Sequence, residues 1–208
     1  MIKNFIALFT LFVFSSISGF AANYRVITEL NDFGGITSEY SYRNGDEFYN
    51  KYGVERSISF YDYAKSLKKV EFYYIPAASK ENGYNKRIEY YNDKEKIVSN
   101  EVFHTEEFAR RENYIRHTEY YNPRGEKERM DYFYTRDFAD KKGYERATLI
   151  VAGGFTKEWD YYFTESYIEQ SGIAVRKDYY VTDPYGKEKI KETVLFDKDN
   201  NEIKKKGE

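Results

Sequence analysis

The chain of 208 residues contains no cysteine and only 3 prolines, 2 histidines and 1 tryptophan. Without cysteine there can be no disulfide bond and no lipidated N-terminal cysteine. Strand pairing and side-chain packing must therefore supply the stability of the fold.

Motifs that carry common chemistry are also missing. No GxSxG, phosphate-loop, dinucleotide-binding or HExxH pattern occurs, and each of these places a nucleophile, a phosphate or a metal in a defined setting. The sequence therefore predicts no catalytic residue, no cofactor and no enzymatic activity. The formal net charge is only -2, whereas nucleic-acid recognition usually needs a basic face, so we expect no nucleic-acid partner.

The two histidines are one candidate for a metal site; a second, a calcium-loop spacing at Asp197, Asp199, Asn201 and Glu208, has Glu202 where the loop needs glycine and is better explained by a β-turn. His104 and His117 flank one long connection and are expected to face each other across adjacent strands. Structural and catalytic zinc sites need three or four converging ligands, and the spacing specifies no third one. We therefore interpret them as two ordinary strand histidines and predict no metal site.

Long apolar runs are absent except at the N-terminus. There, Lys3 precedes an apolar run from Phe5 to Phe14, and small residues follow. This pattern predicts a secretory signal peptide over residues 1–21, with the mature chain beginning at Ala22 or within a residue or two of it. The run is shorter than the roughly 20 residues that span a bilayer, so no transmembrane helix is expected. We predict an exported protein, periplasmic or extracellular, with a single tyrosine-rich repeat domain over residues 22–208.

What the chain has in excess is aromatic residues, with 24 tyrosines and 16 phenylalanines, and these recur with a period of thirty. Self-similarity at such a period is typical of repeat arrays, in which each unit buries its apolar surface against its neighbours. The recurring columns are Arg56, Lys86, Arg116, Arg146 and Arg176; Phe60-Tyr61, Tyr90-Tyr91, Tyr120-Tyr121, Ile150-Val151 and Tyr180-Val181; and Phe72-Tyr73, Val102-Phe103, Tyr132-Phe133 and Tyr162-Phe163.

Each copy of the repeat is expected to be a β-hairpin. In the third copy a strand over 86–92 leads through a turn over 93–96 into a strand over 97–105, and proline and glycine mark the equivalent turns at 122–125 and 183–186. Connections of about ten residues link successive hairpins, with Phe108, Phe138 and Ile168 as expected anchors, and are also compatible with one helical turn. The predicted fold is all-β, an antiparallel meander of about six repeated hairpins in a curled or partly closed sheet.

Two surface features follow from the same columns. The basic column Arg56, Lys86, Arg116 and Arg146 lies beside Glu71, Glu101 and Asp131, and this indicates salt-bridge ladders. Phe103, Phe133 and Phe163 are expected to lie in one row, and Trp159 is expected to pack within a strand column. As speculative binding residues we nominate the following tyrosines: Tyr61, Tyr91, Tyr121, Tyr132 and Tyr162.

The segments EYYNPRGEKERMDYFYT and YYVTDPYGKEKIKETVLFDKDNNEI resemble the β-hairpin repeats of the MORN type, especially the bacterial MORN-variant repeats described as antitoxin-like. The resemblance covers most of the mature chain. It implies a non-catalytic β-ribbon used for interaction, with no fixed catalytic residues.

Three function classes remain open. The first is a non-enzymatic exported module that presents tyrosines to an unknown protein partner or acts structurally, because tyrosine offers large contact area at low entropy cost. The second is a glycan-binding module in which exposed rings stack on sugar faces. The third, less favoured, is an outer-membrane β-barrel, since charged residues interrupt most candidate strands.

Overall fold

The computed structural model describes residues 23–27 and 29–203, so the predicted signal peptide and the cleavage site at Ala22 lie outside the described residues. Twelve strands form one antiparallel sheet whose order follows the chain. The all-β meander of about twelve strands is confirmed. The predicted partial closure is not found among the described strands, because the order is linear and leaves β1 and β12 as edge strands.

The elements, in chain order, are β1 Asn23–Ile27, β2 Gly34–Ser41, α1 Glu47–Tyr52, β3 Val54–Asp62, β4 Leu67–Tyr74, α2 Pro76–Asn82, β5 Tyr84–Tyr91, β6 Ile97–His104, α3 Glu106–Glu112, β7 Tyr114–Tyr121, β8 Lys127–Tyr134, α4 Arg136–Lys142, β9 Tyr144–Ala152, β10 Phe155–Phe163, α5 Glu165–Ser171, β11 Val175–Thr182 and β12 Glu188–Phe196. Short turns and short helices alternate as connections. Within β1–β5 and within β6–β12, each strand pairs with its neighbours in sequence, so the hairpins of each segment join into a continuous ladder.

Each of the three ten-residue connections contains a helix of seven residues. The connections are therefore helical, the second of the two forms that the sequence allows. Thr105 and Thr135 begin α3 and α4, and their hydroxyl oxygens accept hydrogen bonds from the backbone N–H of Phe108 and Phe138, both at 3.3 Å. Such N-caps satisfy backbone donors that the first helical turn leaves unpaired. The starts of α2, α3 and α4 at residues 76, 106 and 136 keep the thirty-residue period.

The fifth helix reveals that the period shortens by one residue. Tyr167, not Ile168, takes the place of Phe108 and Phe138, since its ring stacks on Phe163 at 4.4 Å as Phe138 stacks on Tyr134 at 4.6 Å. The cause is the turn at Gly153–Gly154, which is shorter than the others. The predicted row of phenylalanines is therefore wrong at Phe163, because the row that holds Phe133 continues through Arg146 to Tyr162.

The other turns share one design. Their first residues, Asn31, Asp62, Asn92, Asn122, Asp183 and Asp197, each accept backbone hydrogen bonds on a side-chain oxygen. Such side chains mimic a backbone turn, which explains their preference for this position. The fourth turn residue has a positive φ: it is glycine at Gly125 and Gly186 but lysine at Lys65, with φ 66°.

Replacing Lys65 with glycine is expected to raise the free energy of unfolding by about 0.5–1 kcal/mol, because glycine adopts a positive φ without the steric cost that a side chain carries. Thermal unfolding of the purified variant measures this effect. The matched control is Gly125→Ala at the same turn position, which should lower the melting temperature. A lower melting temperature for Lys65→Gly would contradict the assignment.

The chain divides into two compact units, one ending at Ile97 and the other beginning at Val98. In the first unit the buried apolar residues are Val54, Val70, Tyr74 and Ile88. In the second they are Val102, Ala109, Ala139, Ala147 and Leu149. Three of the five residues in the second set are alanines. Within the described ranges, no helix is long and apolar enough to cross a bilayer.

Candidate interaction surface

The five nominated tyrosines do not share one surface. Tyr61, Tyr91 and Tyr121 end or nearly end strands β3, β5 and β7, just before the turns. Tyr132 lies opposite Ala147 and Tyr162 lies opposite Arg146. Ala147 and Arg146 are consecutive residues of β9, and successive strand residues point to opposite faces, so Tyr132 and Tyr162 lie on different faces of the sheet.

Two of these tyrosines are committed to contacts within their own strands. The Tyr91 hydroxyl donates to the Glu89 carboxylate, and the Tyr121 hydroxyl donates to Glu119 Oε2 at 2.5 Å. In β4 the Tyr73 hydroxyl donates in the same way to Glu71 at 2.7 Å. Burial raises the pKa of Glu71, but hydrogen bonds from Lys86, Tyr73 and Lys69 outweigh it and lower that pKa to about 2. These hydroxyls hold carboxylates in place.

One face of the second unit carries alternating cations and rings, and we call it the arginine face: Phe103, Arg116, Phe133, Arg146 and Tyr162 are successive cross-strand neighbours. The guanidinium of Arg116 lies 3.9 Å from the centre of the Phe133 ring. That of Arg146 lies 3.8 Å from the centre of the Tyr162 ring. Each such contact between a cation and an aromatic ring contributes roughly 0.5–1 kcal/mol at exposed sites.

The predicted salt-bridge ladder is confirmed at two of its three positions. In the first unit Lys86 Nζ lies 2.8 Å from Glu71, and in the second Arg116 forms an ion pair with Glu101. The ladder is wrong at Asp131. Among the residues that the structure describes, the Arg146 side chain forms no ion pair and no hydrogen bond, and its guanidinium lies over the Tyr162 ring.

Asp131 is unavailable to Arg146 because three other groups hold it. Arg129 Nε donates to Asp131 at 2.9 Å, Thr148 Oγ1 donates at 2.7 Å, and the Tyr120 hydroxyl donates at 3.3 Å. The carboxylate is buried, with only 3% of the residue exposed. Aspartate is also one methylene shorter than the glutamates at the equivalent positions. Arg146, a half-buried residue, therefore has no acidic partner among the described residues.

The opposite face of the second unit, the histidine face, carries His104, His117, Tyr132, Trp159 and Tyr161. His104 and His117 face each other as predicted, with His104 Nε2 2.8 Å from His117 Nδ1. Burial, and next to it the charge on His104, lower the pKa of His117 to about 4. Trp159 stacks between Tyr132 and Tyr161, at 5.7 and 5.9 Å between ring centres, so its predicted role in strand packing is confirmed.

The histidine pair does not gather a metal site. Glu119 lies 3.9 Å from His117 Nε2, whereas His104 lies against Nδ1 on the other side of the same ring, so the three groups do not converge on one point. No group of three or more metal-ligating side chains is present within residues 23–27 and 29–203.

The thirty-residue spacing that relates Arg146 to Arg176 does not keep the two residues on one face of the sheet. The shortened fifth copy moves Arg176 to the histidine face, opposite Tyr161. There Arg176 Nε donates to Asp178 at 2.9 Å, and Thr193 Oγ1 donates to the same carboxylate at 2.7 Å. The arrangement copies that of Arg129, Asp131 and Thr148. A spacing of Arg-x-Asp, visible at both places in the sequence, is the signal that could have identified these self-contained clusters.

Lys177 holds two carboxylates on the arginine face. Its Nζ lies 2.8 Å from Glu158 Oε1 and 2.9 Å from Asp160 Oδ2. Asp160 is only 4% exposed, and its Oδ1 has no hydrogen-bond partner among the described residues. Burial and the neighbouring Glu158 raise the pKa of Asp160 to about 6, although Lys177 opposes the shift.

Compared with known proteins, the chain matches no family model and no curated protein sequence.

Proposed function

We propose that the chain is an exported, non-enzymatic module that binds a protein partner in the envelope or outside the cell. The observation that carries the proposal is the position of Tyr185, which is 95% exposed at the tip of the turn between β11 and β12. Tyr63 is 88% exposed in the turn between β3 and β4. Exposed tyrosine rings are favoured at interfaces because they add contact area with little loss of entropy.

The same proposal accounts for the rings along the strands. On the arginine face Arg116 and Arg146 cover Phe133 and Tyr162, and on the histidine face neighbouring rings stack on one another. A sugar needs a free ring face on which to stack. Along the strands the contacts therefore favour a protein partner over the glycan alternative, whereas the exposed rings of Tyr63 and Tyr185 suit either ligand. The MORN-type resemblance is the family relationship that we propose with this function.

Export and the mature N-terminus can be tested together. We expect the chain produced in its native host to be recovered outside the cytoplasm with Ala22, or a residue within one or two positions of it, as its first residue. N-terminal sequencing of fractionated material measures this. Recovery in the cytoplasm with Met1 intact would contradict the proposal.

The mature chain, used as bait, is expected to capture one envelope protein saturably. Replacing Tyr185 with serine should weaken the affinity for that protein by roughly tenfold, the effect of losing about 1–2 kcal/mol of interface contact. The captured protein is then purified and its affinity for the mature chain is measured by calorimetry.

The matched control is Arg124→Ser. Arg124 occupies the same place in the turn Asn122–Glu126 as Tyr185 does in the turn Asp183–Lys187, and both side chains are at the surface. This variant should bind normally. Equal loss of binding in both variants, or failure of the purified pair to bind, would overturn the proposed function.

A further inference from the structure

Arg146 departs from the ion pairs that its two preceding repeats form. The residues one and two repeats earlier, Arg116 and Lys86, pair with glutamates fifteen positions before them. The residue fifteen positions before Arg146 is Asp131, which Arg129 and Thr148 hold instead. One cation in the middle of the sheet is thus left without an anion among the described residues.

The guanidinium is held in a defined position although it lacks an acidic partner. Tyr162 supports it from one neighbouring strand at 3.8 Å, and Phe133 is its direct neighbour on the other side. Arginine stacked on a ring loses little further side-chain entropy when it binds, and its planar fork matches the two oxygens of a carboxylate. A cation presented in this way is ready for an anionic group.

We propose that Arg146, supported by Tyr162, binds a carboxylate of an acidic segment in a protein partner. The inference rests on the proposed function and adds the chemistry of the contact. Charge complementarity identifies the ligand as an anion, because Asp131 and Asp160 in the adjoining row are already bound by Arg129 and Lys177. Arginine and tyrosine are the residues that most often dominate protein interfaces.

A peptide carboxylate fits this site better than the carboxylate of an acidic sugar. Arg146 lies over one face of the Tyr162 ring and Arg116 over one face of the Phe133 ring, and neither of these two faces is free to stack on a sugar. A glutamate or aspartate side chain needs only the guanidinium. Tyr162 therefore positions the Arg146 guanidinium. The sequence analysis instead nominates Tyr162 to contact the partner directly.

The first test uses the ¹⁵N-labelled mature chain and follows the arginine Nε–H signals by NMR. The probes are N-acetyl-glutamate amide, its glutamine counterpart and galacturonate, and the Arg146 signal is assigned from its absence in Arg146→Gln. We expect a saturable shift of the Arg146 signal with the glutamate probe, in the millimolar range, and none with the glutamine probe. The Arg116 signal, from a residue already paired with Glu101, should not move.

Several results would overturn the inference. The Arg146 signal could fail to shift, or it could shift no more than those of Arg116 and the exposed Arg124, which would indicate unspecific charge attraction. A saturable shift with galacturonate but not with the glutamate probe would assign the site to acidic sugars and reject the peptide ligand.

The second test separates this inference from the proposed function. Arg146→Gln should weaken binding of the purified partner at least tenfold, whereas Arg124→Gln, which removes the same charge elsewhere, should change it less than twofold. Circular dichroism should show that both variants remain folded. If the partner binds Arg146→Gln normally, the proposed function stands and the inference fails. If no partner binds but the glutamate probe does, the site stands and the function fails.

Discussion

Replacing Asp160 with asparagine is expected to raise the free energy of unfolding by about 1–3 kcal/mol above pH 6, since a pKa shift of one unit corresponds to about 1.4 kcal/mol. Burial and Glu158 raise the pKa of Asp160 to about 6 from the ordinary 3.8. The native state therefore holds a charge at neutral pH that its surroundings disfavour. An asparagine side chain removes this charge and supplies an amide donor toward Glu158.

The sign of the pH dependence follows from the two pKa values. Between pH 3.8 and 6 the unfolded chain has lost the Asp160 proton while the native chain still retains it, so stability falls as the pH rises through this range. Above pH 6 the loss is complete. The gain from Asp160→Asn should thus be small at pH 4 and reach its full size at pH 7. Urea unfolding at pH 4, 5, 6 and 7 measures it.

Glu158 provides the matched control because it binds the same lysine. Burial raises the pKa of Glu158, but its contacts with Asp160 and Lys177 outweigh this and lower that pKa, so its negative charge stabilises the fold at neutral pH. Glu158→Gln should therefore destabilise the protein at pH 7, opposite in sign to Asp160→Asn. If Asp160→Asn also lost stability at pH 7, the ion pair with Lys177 would outweigh the cost of burying the charge.

The meander could be predicted from the sequence because its signals are local. Tyrosine-rich segments alternate with turns that begin with Asn or Asp, and each turn residue satisfies backbone groups within five positions. The sequence does not decide whether the connections are helical, since a threonine cap and a seven-residue segment such as 106–112 are compatible with a loop or a helix. Packing of Phe108 on His104 at 4.1 Å is a contact that local preference does not specify.

The candidate site could be predicted only in part. The fixed period placed Arg146 in a basic column, but whether it is paired depends on one methylene at Asp131 and on Arg129 two residues earlier. A shift of one residue moves a strand side chain to the other face of the sheet. Because the turn at Gly153–Gly154 is shorter than the others, Arg176 and Tyr162 lie on faces that the strict period does not predict. A column counted at a strict period of thirty therefore misplaces every residue after that turn.

The second large effect concerns His117, whose replacement by glutamine should remove a loss of stability in acid. Burial, and then the charge on His104, lower the pKa of His117 from 6.5 to about 4. Between pH 6.5 and pH 4, His117 is protonated in the unfolded chain but neutral in the native chain. The native protein therefore loses stability as the pH falls through this range. A difference of about 2.5 pKa units at about 1.4 kcal/mol per unit makes the full loss about 3.5 kcal/mol, and His117→Gln should not show it.

The groups around the histidine pair explain why His117 stays neutral in the native state. His117 is half-enclosed by His104 from β6, Tyr114 from β7 and Tyr132 from β8. Lys127 adds a positive charge that lowers the pKa of His117, while Glu119 opposes it. Proton NMR of the imidazole signals tests this directly. Titration of His117 near pH 6.5 in the folded protein would contradict the prediction, and His104→Gln should raise its pKa.

Asp160 and His117 change the stability with opposite sign over nearly the same pH range. Their contributions to the pH dependence therefore largely cancel in the native protein. Stability falls with rising pH through Asp160 between pH 3.8 and 6 and increases with rising pH through His117 between pH 4 and 6.5. Asp160→Asn should therefore leave a stability that rises with pH, and His117→Gln should leave one that falls. The double variant should recover the nearly level profile at higher stability, because the two sites lie on opposite faces of the sheet and their effects should add.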